Sequence, residues 1–461
     1  MTTAISTPGG LPGPLKGGLL AAAVFAACWG GAVWHWRAMD GTPDAVELAL
    51  ALLVLPLALV GALWFGGRLV GKRAAAPAAA AENTPAAAQP VAAALPPLAI
   101  VSSALRSPHG ASAEELSSAI AGNQARSDLD RELVDDAGFP VEAARCGEAE
   151  DTALQEEIGD WLTSKAMQDI GFSDEQWRAL LLGSAVVAEL ASRAGDLLPA
   201  EGAPPTLRLL PLLPPDWPQA QRRAAGMWFT HLAGGFGWPA AQVALPPEAS
   251  LAAPAALLGQ LAREAAKNPA PLVALVVACA SHIGQDTVDD WAAKGRLFTS
   301  SRPQGLVPGE GAAGLLLTDA RLAQSLEGTL FALLDPVEQA PGAQDGQRAD
   351  SKLLGELATR AIGPAGVRME EVAMVVADSG QRRQRTLELM GMTSSAMPQL
   401  DESEDVLCVG AASGACADVP FMTALALAQH NALVRGGPVL CIGNEGSDAR
   451  CAVLVRPAAA A

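Results

Sequence analysis

The stretch Val307-Pro-Gly-Glu-Gly-Ala-Ala-Gly-Leu-Leu-Leu-Thr318 decides how this chain is read. Gly309, Gly311 and Gly314 permit close backbone approach and positive φ. Residues 315–317 are apolar and bounded by turn residues, as a buried strand should be. The apolar run 272–280 precedes this turn and reads as a central strand. Outward from the pair, short apolar strands alternate with amphipathic helices, which is the signature of a layered α/β domain. Upstream the pattern predicts strands over 98–101, 206–213 and 242–245, with helices over 112–121, 152–167, 177–194, 219–232 and 252–267. Downstream it predicts a loop over 335–350, helices over 351–361 and 418–434, and strands over 372–377, 439–442 and 452–455. The folded part is therefore expected over 98–461, in two halves of about 98–335 and 350–461.

Charge narrows the function. The 31 basic and 49 acidic residues give a net −18, and residues 1–97 hold five basic and four acidic side chains. The remainder thus sets 26 basic against 45 acidic residues, a net −19, which argues against a nucleic-acid partner because phosphate binding needs clustered Lys and Arg. The seven cysteines include no Cys-x-x-Cys pair and no His at metal-ligand spacing, so thiols in a reducing compartment are expected, with no metal and no cofactor. Asp286, Asp289 and Asp290 read as a solvated helix start, and His231 beside Trp228 as a packed side chain.

Residues 17–36 carry no Asp, Glu, Lys or Arg, and 46–65 form a second apolar stretch with Glu47 at its edge. Each is twenty residues, long enough to cross roughly 30 Å of hydrocarbon as a helix. Residues 1–73 are therefore read as an anchor with two transmembrane helices. Lys16 before the first, and Arg68, Lys72 and Arg73 after the second, place both ends in the cytoplasm by the positive-inside rule. The expectation is a multi-pass protein of a bacterial inner membrane with its large domain in the cytoplasm. Residues 74–97 are rich in Ala and Pro and read as a linker.

Four segments occur in a telling order: Leu98-Ala-Ile-Val-Ser-Ser-Ala-Leu-Arg-Ser-Pro-His-Gly110, the Gly309-Glu310-Gly311-Ala312 turn, Gly410-Ala-Ala-Ser-Gly414, and Asn444-Glu-Gly-Ser-Asp-Ala-Arg450. Together they resemble the opening strand and turn, the mid-chain glycine turn, the Gly-Ala-Ala-Gly helix entry and the final glycine-rich turn of the β-ketoacyl synthases. The resemblance implies a thiolase-like five-layer α/β/α/β/α domain, a homodimer, and structural roles for Gly309, Glu310, Gly311, Gly410 and Gly414. Glu310 is expected to brace its own turn.

The same resemblance locates what is missing. Ketosynthase chemistry needs a thiolate at a helix N-terminus and two histidines. The nucleophile position falls in Pro246-Pro-Glu-Ala-Ser-Leu-Ala-Ala253, which has no cysteine; the histidine positions read Asp378-Ser-Gly380 and Leu407. The catalytic set is replaced, so no catalytic residue is assigned. Substitutes within the sequence are Cys279 with His282 at a strand end, and Ser250 near a helix start. Core packing for Cys279, a loop role for His282 and helix capping for Ser250 are the competing readings. Cys408 and Cys416 flank the Gly-Ala-Ala turn as small packing residues. The expected function is a membrane-anchored scaffold or adaptor for a protein partner. A weaker resemblance, to adaptors that load lipase effectors onto type VI secretion machinery, makes a secreted effector one such partner. The alternatives are an active acyltransferase or condensing enzyme with a relocated nucleophile, and a non-catalytic subunit paired with an active ketosynthase paralogue.

Overall fold

A computed structural model of the chain describes residues 95–198, 205–245, 253–326, 328–342, 350–446 and 449–458. Both expected membrane spans, Ser250 and the linker up to residue 94 lie outside the described residues. Among the described residues no helix is long and apolar enough to cross a membrane.

In chain order the elements begin with β1 (Leu98–Arg106), α1 (Ala113–Ala121), β2 (Asp128–Val134), β3 (Pro140–Ala143), α2 (Thr152–Ser164) and α3 (Asp174–Gly195). Next come β4 (Leu207–Leu212), α4 (Gln219–Gly235), β5 (Val243–Ala244), α5 (Pro254–Lys267), β6 (Val273–Ser281) and α6 (Gln285–Ala293). There follow β7 (Glu310–Asp319), α7 (Ala320–Gln324), β8 (Ala332–Leu334), β9 (Glu338–Pro341), α8 (Ser351–Ile362) and β10 (Met374–Ala377). The chain closes with α9 (Arg383–Ala396), β11 (Val406–Cys408), α10 (Gly410–Ser413), α11 (Val419–Arg435), β12 (Val439–Gly443) and β13 (Ala449–Pro457).

Strand order reveals a repeat that the sequence hides. The first set runs β5-β4-β6-β7-β1, with β5, β4 and β6 parallel and β7 antiparallel to both β6 and β1. The second runs β11-β10-β12-β13-β8 with the same directions. The two sets join where β1 pairs antiparallel with β8. Strand β8 already belongs to the second set, so the second half begins some residues before the expected 350. The expected loop at 335–350 also contains β9, which pairs with β13. β2 and β3 form a separate two-stranded hairpin.

Every residue of β6 and β7 is buried, as for strands covered on both faces. Alternate side chains explain why. Ala274, Val276, Ala278 and Ala280 point into a central cluster with Leu257 and Leu261 of α5 and Met422 and Leu425 of α11. Val273, Leu275, Val277 and Cys279 point the other way, onto α3 and α4. In the second set, Leu440, Ile442, Ala452 and Leu454 face α8 and α9, while Cys441, Val453 and Val455 join the central cluster. Five layers result: helices, the first set, central helices, the second set and helices. α11 is buried nearly all round, which suits a helix with a sheet on each side. α3 starts with a capping box from Ser173 and Gln176, with Asp174 and Glu175 in its first turn.

The expected glycine turn is strand from Glu310 onward, so Gly311 and Gly314 lie within β7; none of Gly309, Gly311 and Gly314 has a positive φ, and they permit close approach. A Cβ on Gly309 would lie 2.1 Å from the Ser413 carbonyl oxygen, and one on Gly314 would lie 2.8 Å from Leu190. Glu310 does not brace its own turn. Its fully buried carboxylate accepts from Arg178 of α3, at 2.7 and 2.8 Å, from the Cys146 backbone N–H at 2.7 Å and from the Ser281 hydroxyl at 2.8 Å. It therefore ties β7, β6, α3 and the loop before α2 together.

Candidate functional site

Ligands of α/β sheets bind beyond the carboxyl ends of parallel strands, because successive turns converge there. β10 and β12 are parallel neighbours, and their carboxyl ends lead into Asp378 and into Asn444-Glu445. His282 follows the carboxyl end of β6, and Ala253 caps the N-terminus of α5. These turns, together with the N-terminus of α11, line one cavity of about 510 Å³. Its apolar walls include Ala255, Trp291, Leu306, Pro420, Phe421 and Cys451.

The loops carrying the polar groups are held from behind. Asp378 Oδ1 accepts backbone N–H groups of Asn444 at 2.8 Å and Glu445 at 3.0 Å. Asn444 also bonds the Ser379 hydroxyl, and its amide donates to the Arg385 carbonyl at 2.9 Å. Below them Glu388 accepts from Arg385 at 2.7 Å and Arg450 at 3.0 Å, all three side chains being buried. Glu445 Oε2 accepts from the Gly380 N–H at 3.0 Å, and Arg382 lies 3.8 Å from Oε1. Gly380 and Gly410 let the 378–380 and 410–411 backbones touch, since a Cβ on Gly380 would lie 2.1 Å from the Ala411 nitrogen.

The electrostatics are acidic. Burial raises the Asp378 carboxyl to about 6 despite its backbone hydrogen bonds. Burial, then the neighbouring Asp378, raises Glu445 to about 7. Asp418 occupies the N-cap of α11 but makes no side-chain capping bond, and burial raises it to about 6. His282 is pushed down by burial, and its Nδ1–H donates to the Ala415 carbonyl at 2.6 Å, with Trp291 edge-on at 5.1 Å.

The sequence candidates separate. His282 lines the cavity, whereas Cys279 does not: it sits on the far face of β6, fully buried against Gly183 and Phe229. Burial raises its thiol to about 12, which disfavours the thiolate that a nucleophile needs. Iodoacetamide treatment of the native chain is expected to leave Cys279 unmodified until unfolding. Fast, selective labelling of it by peptide mapping would restore the nucleophile. Leu407 is 1 % exposed and packed in the central cluster, so no ionisable side chain stands there. Cys416 lines the cavity as a buried thiol raised by burial. Cys408 is likewise raised, to about 11. His231 stacks on Trp161 at 5.5 Å, and Asp290 pairs with Lys294. Among the described residues no group of three or more His, Cys, Asp or Glu is arranged to hold a metal.

Asp418 and Glu445 carry no site role in the sequence reading, and Asp378 figures there only as a loss. The available signal was that each of the three falls in a turn at a strand end or helix start. Only the pairing of β10 with β12 shows that these turns meet.

No protein-family model matches the chain, and no curated protein does. Solved structures do. The ketosynthase of module 6 of the bacillaene synthase from Bacillus subtilis 168 is 12% identical, with a TM-score of 0.55 over 79% of this chain and 72% of that one. The oxazolomycin ketosynthase domain from Streptomyces albus JA3453 is 12% identical, with a TM-score of 0.53 over 79% and 75%. A type II polyketide ketosynthase bound to its acyl-carrier protein is 12% identical, with a TM-score of 0.53 over 79% and 100%. This chain has the mixed α/β, thiolase-like fold of the ketosynthases.

Proposed function

We propose that the chain is a ketosynthase-fold binding scaffold that performs no condensation and is held at a membrane by its N-terminal segments. The observation that carries this reading is the replacement chemistry of the cleft. A condensing site needs a thiolate and groups that attract the anionic carboxylate of an extender. Here the segment leading into α5 has no cysteine, and Asp378 stands where the first histidine is expected. With Glu445 and Asp418 it sets three carboxyls against Arg296 and Arg382 in the cavity lining, a balance that disfavours an anion once the carboxyls ionise. Such a cleft has the scaffold turns of a condensing enzyme without its chemistry, and binding is the use left to it.

The scaffold works as a homodimer and presents a protein partner near the membrane. The sequence resemblance to effector-loading adaptors makes a secreted lipase the first partner to try. The test is intact-mass spectrometry of the protein after incubation with acyl-CoA and acyl-carrier donors. No acyl adduct is expected on any residue. A stable adduct would overturn the non-condensing reading and would name the nucleophile.

A further inference from the structure

We propose that the cleft is a receptor for a small molecule bearing a primary ammonium group on an apolar body, with Asp378 as the anchor of the cation. The inference deepens the binding reading above and rests on it.

Three observations point the same way. Asp378 is 8 % exposed, and the two backbone N–H groups that its side chain accepts both bond Oδ1. Among the described residues no hydrogen bond reaches Oδ2, and Asp378 is one of the residues that line the cavity. A buried carboxylate with one oxygen fixed and the other open is poised to accept from a ligand, and a charged donor makes the stronger bond. The cavity, about 510 Å³ and mainly apolar in its walls, has the size and lining of a small-molecule site. The buried Arg385–Glu388–Arg450 cluster behind the two loops holds that geometry in place.

The charges facing the cavity favour a cation. Glu445, beside Asp378, has Arg382 near its Oε1, whereas Asp418 on α11 accepts no hydrogen bond from any described residue. Burial lowers the His282 imidazole and so favours its neutral form. Arg296, which also lines the cavity, is exposed and lies over the Trp291 ring at 5.7 Å, and buried Arg450 behind the loops lowers the Asp378 carboxyl without overcoming its burial. An ammonium group on Asp378 would compensate a carboxylate that burial otherwise penalises, which also sets the pH dependence. The raised carboxyls, Asp378 at about 6 and Glu445 at about 7, are protonated in mild acid and ionised above neutrality. Binding must therefore strengthen as pH rises through that window, and it must release proton where the carboxyls are still partly protonated.

The experiment is calorimetric titration of the full-length protein with hexylamine, hexan-1-ol and hexanoate, at about pH 5 and about pH 8. Hexylamine is expected to bind at least about tenfold more tightly than either isostere at the higher pH, and to lose that margin at the lower one. Asp378→Asn keeps an acceptor for the Asn444 and Glu445 N–H groups, and it should reduce hexylamine affinity by about tenfold or more without changing that for hexanol. Should Asp378→Asn fail to fold, proton uptake or release by the unaltered protein in buffers of different ionisation enthalpy gives the second readout. Equal binding of hexanol and hexylamine, preference for hexanoate, or pH-independent amine binding would each sink the proposal. An acyl adduct in the mass-spectrometric test removes the scaffold reading whatever the amines do. Absence of both adduct and amine binding removes this inference alone.

Discussion

Replacing Glu310 with Ala is expected to destabilise the folded domain by about 3–5 kcal/mol. The loss comes from what remains behind. Arg178 directs two nitrogens at Glu310, at 2.7 and 2.8 Å, and its side chain is only 13% exposed. Among the described residues its one other carboxylate partner, Glu150 at 3.2 Å, is 59% exposed and screened by water. Removing Glu310 thus strands most of a buried cation and leaves the Cys146 N–H and the Ser281 hydroxyl without their acceptor. Burial, helped by Glu310, also lifts the Cys146 thiol to about 12, so the substitution should bring that thiol down. Denaturant unfolding of Glu310→Ala, Arg178→Met and the double variant tests the account. The double variant should recover part of the single loss, because it removes both charges. Simple additivity would show that the pair does not act as a unit.

Gly414→Ala is the second large effect, and it is expected to abolish accumulation of folded protein. Gly414 has φ 64° and ψ −172°, a region essentially confined to glycine. Strain there costs about 1–3 kcal/mol. A Cβ would also sit 2.7 Å from Gly309 Cα, adding about 1–3 kcal/mol of overpacking between two backbones that cannot separate cheaply. The Pro308–Ala415 bridge, the Ala415 N–H to Val307 carbonyl bond at 2.8 Å and the His282–Ala415 contact all cross the same place. Gly159→Ala is the control: it lies within α2, a Cβ there meets nothing within 4 Å, and a gain of up to about 1 kcal/mol is expected. Comparable soluble yields of the Gly414 variant and the control would refute the argument.

The elements read well from sequence are those whose pattern is dictated by burial on both faces. β6 is a near-continuous apolar run, only residues 315–317 of β7 read as strand although it begins at Glu310, and α11 is buried on nearly every side, so apolar composition gave these elements away in whole or in part. β2 reads Asp-Leu-Asp-Arg-Glu-Leu-Val, with no strict alternation, and is recognisable only from its pairing with β3. β8 and β9 are too short for a periodic signal, and α9, Arg383–Ala396, is too polar to show an apolar stripe. The site was half legible. Position 378 stood out as a missing histidine, but its positive content depends on which oxygen is free, and that follows from the 444–445 backbone, 66 positions along the chain. The separation of Cys279 from His282 was hidden because strand parity alone decides it.

The pairing of β1 governs how this chain can be made. Ile100 is paired across the sheet with Leu317, 217 positions later, and on its other side with Ala332. This strand therefore leaves the ribosome with neither neighbour yet synthesised, and its Leu-Ala-Ile-Val segment must wait through most of translation with its edges open. Closing contacts of such long range is slow, and a waiting apolar edge invites wrong partners. The chain is expected to depend on holding chaperones until β7 appears, and N-terminal fragments ending before residue 310 should aggregate.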